Sequence, residues 1–431
     1  MKATIFLAAL CHAFGLLAQP LLTAKEAVQM AVAKEFQVLI AQNELEMARL
    51  MSHPGMAGML PELSLAASGS LSSTAIDQTF SNGLSVAQSG VRSDNLAAQA
   101  IFRWTLFDGF QMFRRYSLGK TREDAASMAL KVQVETLMEE VYTLYFQIAA
   151  LEQQLRLDSQ MVQVWEEQIQ FLKEKERLGA GVRQEVLQAQ LDLNTSRSNL
   201  WQKKGAFARL QAQMNSRLQR NPETPFTTET TTPLAALPPL EGLKADLRGN
   251  NAMIQQSEIG VRLARDQRKL SQGVSLPTLT FQSTYGYNRT ANTAGFALFN
   301  QSNGPQFGLV ATQPLFMGWQ HRTQVKVRRL EEKNAEWQVQ QVQWREEGLL
   351  VGLWYEASSA YQQYQLEETN FSLAEENLQL ADQLLRLGKI SGLQFREAQK
   401  SLSEAGNRKA QAWLTAQQRQ INLLRVAGQW K

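Results

Sequence analysis

The sequence predicts a mixed α and β membrane protein built by internal duplication, and three observations predict it. Short motifs recur in the same order: Arg177-Leu178-Gly179 returns as Arg386-Leu387-Gly388, and Leu106-Phe107-Asp108-Gly109 as Leu315-Phe316-Met317-Gly318, each 209 residues on (386 − 177 and 315 − 106). Leu60-Pro61-Glu62-Leu63 returns as Leu276-Pro277-Thr278-Leu279 at an offset of 216 (276 − 60), so the halves differ by seven residues between Pro61 and Leu106 or their counterparts. Second, two segments in each half alternate apolar and polar residues, as one-sided strands do. Third, each half holds a proline-free run of about 70 residues whose apolar positions step by three and four, the pattern of a packed helical seam.

The elements follow in order. Lys2, the apolar run Ile5 to Leu17 and Ala18-Gln19 read as a secretory signal peptide over residues 1–18. Cys11, the only cysteine, falls inside it, and Leu10 before it is too large for a lipoprotein cleavage box, so neither disulfide nor lipid anchor is expected in the mature chain. Losing Lys2 takes the formal charge from +4 to +3, and the basic residues are interleaved with Glu and Gln, which excludes a nucleic-acid-binding stripe. No later apolar run approaches the 18 or so residues of a spanning helix, so a membrane would be crossed by strands.

Thr23-x-x-Glu26 is a capping box opening a helix that ends before Pro54. Residues 61–74 alternate through Leu63, Leu65, Ala67, Gly69 and Leu71, the polar stretch 75–95 reads as a long loop, and 98–106 sets Ala98, Ala100, Phe102, Trp104 and Leu106 against Gln99, Arg103 and Thr105. Gly109 to Leu178 reads as one helix roughly 100 Å long, with the seam Leu137, Val141, Leu144, Ile148, Leu151 and Leu155. Gly179 and Gly181 break it, and a return helix runs from Val182 to Leu218. After a Pro- and Thr-rich linker the order repeats: a helix over 240–270, a strand carrying Leu279, Phe281, Tyr285 and Tyr287, a polar loop over 289–305, and a strand from Phe307 to Phe316. A helix from Gly318 to Leu387, with Tyr364, Phe371, Ala374, Leu378, Ala381 and Leu385 on its seam, then leads to a return helix carrying Ala398, Leu402, Ala405 and Ala412. The organisation is therefore signal peptide 1–18, first repeat 19–220, linker 221–239 and second repeat 240–431.

Four one-sided strands cannot close a barrel, because single-chain membrane barrels begin at about eight strands. An open edge in hydrocarbon would leave backbone groups unpaired at several kcal/mol each. Several copies in a closed ring are the natural answer.

The segments Trp104-Thr105-Leu106-Phe107-Asp108-Gly109 and Gln313-Pro314-Leu315-Phe316-Met317-Gly318 resemble the strand-to-helix junction of the TolC family of outer-membrane efflux proteins. The run Gly388-Lys389-Ile390-Ser391 through Gln394-Phe395-Arg396-Glu397-Ala398-Gln399 is similar to that family's turn, and Gly179 through Gln190 is its first-half version, with Val182 where a hydroxyl usually falls. The resemblance spans essentially the whole mature chain. It implies a homotrimeric outer-membrane β-barrel, four strands per chain, continuous with a long periplasmic α-helical coiled-coil barrel. The implied function is a passive conduit for efflux of small molecules, reached through a periplasmic adaptor (membrane fusion) protein from an inner-membrane pump. A type I protein secretion duct shares that tunnel, and a periplasmic coiled-coil interaction protein without a pore is the reading from a different class.

Gly179 and Gly388 stand where a helix must reverse, a place for positive φ; the resemblance adds adaptor docking at the tips Leu178, Gly179, Leu387 and Gly388. Gln394 and Glu397, three apart, share a face of the second return helix, at positions where the family commonly carries acidic residues ringing a closed entrance. Gln394 departs from that pattern, so Glu397 is the stronger gate candidate, with Glu185 in the first-half turn and Arg386 and Lys389 flanking the tip. A solvated helix-end carboxylate is the competing role for Glu397. Phe102, Trp104, Tyr285, Tyr287 and Phe307 suit aromatic girdles at the bilayer boundaries, although a soluble sandwich core would use the same residues. The sequence contains no phosphate loop, nucleophile elbow or pocket-like carboxylate pair, so neither an enzyme nor a cofactor is expected. His53 and His321, far apart and without cysteine neighbours, predict no metal centre.

Overall fold

The computed structural model describes residues 21–229, 232–295 and 297–430; the signal peptide and Cys11 lie outside them. In chain order the elements are β1 (Leu21–Leu22), α1 (Ala24–Lys34), α2 (Phe36–Met51), β2 (Glu62–Thr79), β3 (Ser85–Asp108), α3 (Gln111–Arg177), α4 (Arg183–Arg217), β4 (Thr227–Thr228), α5 (Leu240–Asn250), α6 (Ala252–Gly273), β5 (Thr278–Asn292), β6 (Phe299–Thr312), α7 (Gln320–Arg386) and α8 (Gly392–Ala427). The duplication is written into these bounds. α5 begins 216 residues after α1 (240 − 24), β5 216 after β2 (278 − 62), α7 209 after α3 (320 − 111) and α8 209 after α4 (392 − 183). The seven extra residues therefore sit in the first hairpin, whose strands are 18 and 24 residues long against 15 and 14 in the second.

Residues cluster into two compact units, each drawing on both repeats: one holds Ile40–Lys131 and Ala252–Trp344, the other residues up to Leu39, Val132–Asn251 and Arg345–Lys431. In the first of these lies an antiparallel sheet of order β2-β3-β5-β6, with β2 and β6 at its edges. The two long loops expected over 75–95 and 289–305 are mostly strand. β2 pairs with β3 out to Thr79↔Ser85, leaving a turn at 80–84 in which Gly83 takes φ +86° and its amide donates to Phe80 O (2.9 Å). Polar composition misled here because ladder bonds come from the backbone, and Ser, Thr and Gln satisfy them as well as Val does. β6 stops at Thr312 rather than at Phe316, where Pro314 has no amide to give.

The single helices expected before each hairpin are each broken once. Glu35 (ψ 127°) and Asn251 (ψ 121°), again 216 apart, adopt extended backbone between two helices. In the second unit the seams pack: Trp165, Ile169 and Leu172 of α3 meet Val186, Ala189 and Leu193 of α4, and Ala381 and Leu385 of α7 meet Phe395 and Ala398 of α8. Leu144, Leu151 and Leu155, expected on the α3 seam, are only half-buried, while Tyr145, Ala149 and Glu152 are buried. A helix of 3.6 residues per turn drifts off a strict heptad. Tyr145 Oη donates to Leu22 O and accepts from the Glu229 amide (both 2.9 Å), and burial pushes its pKa up to about 12. The Pro-rich linker is tied down rather than free: Phe226 is buried, and Asn215 Nδ2 donates to the carbonyls of Pro222 and Thr224.

Candidate functional site

Two sets of residues are candidates, one in each unit. In the sheet, side chains directly opposite across a ladder share a face. Ala100 stands opposite Tyr285, which stands opposite Pro305; Phe102 opposite Ser283, opposite Phe307; Trp104 opposite Phe281, opposite Leu309. Leu63 lies beside Phe102 and Leu65 beside Ala100. The period of two then puts all five girdle candidates, Phe102, Trp104, Tyr285, Tyr287 and Phe307, on one face together with Leu63, Leu65, Leu71, Phe281 and Leu309. The opposite face carries Ser64, Ser68, Gln99, Arg103, Thr280, Gln282, Thr284 and Thr312. Leu63, Leu65, Tyr285, Phe307 and Leu309 are all exposed, so this apolar face is uncovered within the chain. Phe281 and Tyr287 lie six positions apart, about 20 Å of strand, close to the height of the apolar band of an outer-membrane barrel. Phe281 and Trp104 make one aromatic row, and Tyr285 and Tyr287 stand toward the other end. Trp104 Nε1 also donates to Met59 O (3.1 Å).

At the helix tips the two turns are built alike. Ala180 N donates to Lys175 O and Gly179 N to Glu176 O (both 3.0 Å); Lys389 N donates to Leu384 O (2.9 Å) and Gly388 N to Leu385 O (3.0 Å). This paired pattern, with Gly179 at φ +74° and Gly388 at φ +70°, closes the last helical carbonyls and needs a left-handed residue. A Cβ at either glycine would meet nothing within 4 Å, so the demand is one of backbone conformation alone. Leu178 and Leu387, one residue before, are exposed.

The return helices start differently. Ser391 caps α8 in a reciprocal box, with Gln394 N donating to Ser391 Oγ (3.3 Å) and Ser391 N to Gln394 Oε1 (2.9 Å). Val182 gives α4 no side-chain cap. Gln394, a departure from the acidic pattern, is thus held by a capping role. Glu397 is exposed on the next turn. Arg386 does not reach it; its guanidinium is engaged by Asp382 (2.8 Å), whose hydrogen bond raises the Arg386 pKa. Lys389 is exposed, and Glu185 lies by Gly392, whose Cβ would stand 3.9 Å from Glu185 Oε1. A cleft of about 330 Å³ opens here, lined by Trp165, Glu185, Asp192, Phe395, Arg396 and Gln399. Gln399 is 2 % exposed, and neither of its amide atoms has a hydrogen-bond partner among the described residues. Sequence reasoning missed it, since a buried Gln on an Ala-rich helix face looks like a solvated one.

Among the described residues there is no cluster of His, Cys, Asp and Glu suited to a metal, and no helix long and apolar enough to cross a membrane. The fold matches the outer membrane protein VceC of Vibrio cholerae (16 % identity, TM-score 0.75, covering 94 % of this chain and 96 % of that one) and the outer membrane channel CmeC of Campylobacter jejuni (15 %, 0.77, 94 % and 85 %). The open state of MtrE from Neisseria gonorrhoeae is similar too (14 %, 0.73, 94 % and 88 %). Protein CyaE of Bordetella pertussis is 25 % identical over 263 residues, a stretch that spans 60 % of this chain and about half (54 %) of CyaE. The family model for outer membrane efflux proteins matches residues 27–217 and 243–429, one block in each repeat. With most of its length matched in that doubled order, the chain belongs to the outer membrane efflux protein family, whose members are channels and not enzymes.

Proposed function

We propose that this chain is one third of an outer-membrane channel: three copies close the four-stranded sheets into one barrel, and their helices line a periplasmic tunnel through which small molecules leave the cell. The observation that carries the reading is the open sheet with one apolar face, β2 and β6 at its edges, in a chain of the efflux family. The apolar face meets lipid, and its aromatic residues sit at the bilayer boundaries. The turn Phe80–Leu84 faces outside the cell. Leu178, Gly179, Leu387 and Gly388 form the tips on which a periplasmic adaptor seats, linking the tunnel to an inner-membrane pump. Among the gate candidates Glu397 is favoured, because Gln394 is occupied by its cap and Arg386 by Asp382. Three Glu397 carboxylates near a threefold axis favour cations.

Planar-bilayer conductance tests this: the purified chain gives uniform, long-lived steps, and polyvalent cations block them less in Glu397→Gln than in the parent. Glu376, exposed on α7 and well up the helix from the tip, is the control. Equal block in parent and Glu397→Gln places Glu397 outside the constriction, and absence of steps removes the pore. In a deletion strain, retained small molecules support efflux and retained polypeptides support the type I secretion duct.

A further inference from the structure

α8 repeats one arrangement along a single face, and among the described residues the chain supplies a hydrogen-bond partner to only one of the two copies. In its C-terminal half Trp413 Nε1 donates to Thr232 O (3.2 Å), and Gln417 Nε2 reaches the same carbonyl (3.5 Å). Gln420, one turn on, donates to Ala235 O (3.3 Å). All three side chains are buried, and the linker they hold is neither helix nor strand there, so its carbonyls are free to accept. Buried amides on this helix thus read open backbone. Phe395 and Gln399, also buried, precede Trp413 and Gln417 by 18 residues (413 − 395 and 417 − 399). Eighteen residues make five turns of about 3.6 residues, so the ring and the amide return to the same face of α8.

Gln399 lines the cleft of about 330 Å³ between α3, α4 and α8, where neither its Oε1 nor its Nε2 finds a partner among the described residues. A buried amide left unpaired is destabilising, so a ligand that satisfies it gains both bonds. A second acceptor lines the same space. Asp192 Oδ1 accepts from Gln188 (3.2 Å), but its buried Oδ2 takes no hydrogen bond among the described residues and stands 3.7 Å from Arg396. Glu185 and Asp192 against Arg396, two acids and one base, leave the cleft with one negative charge, and Trp165 and Phe395 give it apolar walls. Its volume lies at the small end of ligand pockets, about 300–1,000 Å³. We infer that this cleft binds a short peptide carrying a basic side chain. Gln399 takes a backbone carbonyl and a backbone amide, as Gln417 takes Thr232 O, and the cation lies toward Asp192 and Glu185. Resting on the conduit reading above, this names short basic peptides as a substrate class met beside the helix tips.

The test is equilibrium dialysis of the detergent-purified full chain against tritiated acetyl-alanyl-lysyl-alanine amide and its norleucine analogue. The lysyl peptide binds saturably, one per chain. Gln399→Leu weakens it at least about tenfold without lowering the melting temperature, since leucine removes an unpaired buried amide. Asp192→Asn weakens the lysyl peptide and leaves the norleucine analogue unchanged, a comparison that stands even if Gln399→Leu fails to fold. Absent binding, or equal binding of both peptides in parent and Asp192→Asn, overturns the site. So does a helical adaptor hairpin that binds in a Gln399-dependent way where the peptide does not. Planar-bilayer conductance of the same sample separates the two readings: a chain that conducts without binding peptide loses only this cleft, and one that binds peptide without conducting loses only the conduit.

Discussion

The junctions after β3 and after β6 begin from one motif and one backbone turn, yet only the first is built into its own chain. Gly109 and Phe110 (φ +69° and +64°) match Gly318 and Trp319 (φ +55° and +64°). Around the first, Asp108 is 5 % exposed; its Oδ1 accepts from Met112 N (2.9 Å), its Oδ2 pairs with Arg115 (2.5 Å), and Arg115 Nε donates to Ala57 O (2.9 Å). Around the second, Met317 replaces Asp108, Gln324 replaces Arg115, and Leu315 and Phe316 stand 91 % and 74 % exposed. Duplication preserved the turn because positive φ is a backbone requirement. It did not preserve the packing, since the second junction has no third repeat in the chain to lean on. An exposed apolar surface of that kind suits contact with a partner or with lipid.

The largest expected effect separates the junctions by one methyl group. At Gly109 an added Cβ would lie 2.4 Å from Gly273 O and 2.7 Å from Leu276 Cβ, against open space at Gly318. Gly109→Ala should destabilise by about 3 kcal/mol or more, strained φ and overlap together, and Gly318→Ala by about 1; heat-resistance of the purified protein compares them, and equal losses would erase the distinction. Next, Asp108→Ala removes a cap and the acceptor of Arg115, at about 1–3 kcal/mol. Met317→Ala should cost less than half of that in the same assay.

The tips sharpen the comparison with opposite signs. Ser391→Ala loses the capping box and about 1 kcal/mol, whereas Val182→Ser, with Glu185 already three residues on, completes a box and gains roughly 0.5–1. Thermal melts of the two variants should move in opposite directions. The smallest effect is one of pH. Burial raises the Glu332 pKa, but hydrogen bonds from Arg268 and Arg265 outweigh it and hold the carboxyl below its ordinary 4.5. A depressed folded-state pKa contributes stability that is full above 4.5 and lost as pH falls through the lower folded value. Glu332→Gln should therefore flatten the acid limb of the stability curve, seen as a smaller drop in melting temperature on acidification.

Much of this was legible before the structure. The α3 and α7 lengths, the turn glycines and the one-sided strands follow from Gly and Pro placement and from period, which local sterics enforce. The strand ends over 75–95 and 289–305 were not legible, because Ser, Asn and Gly are turn-formers in isolation and only the ladder partner keeps them extended. Nor was Gly406 read as special, although a Cβ there would fall 2.1 Å from Leu157 Cδ2 and 3.2 Å from Phe371. Which residues fill a gap is a property of the facing helix. The pairing of Arg386 with Asp382 escaped because an i,i+4 partner is as good as a more distant one, and nothing local tells them apart.

If the uncovered sheet face, the open edges of β2 and β6 and the bare second junction are parts of one wall, the chain cannot complete that wall alone. Sedimentation equilibrium in density-matched detergent, with strand content followed by circular dichroism on the same sample, measures this directly. The predicted result is a mass of three chains with the strand signal intact, both lost together on dissociation; a stable, fully folded single chain would contradict it.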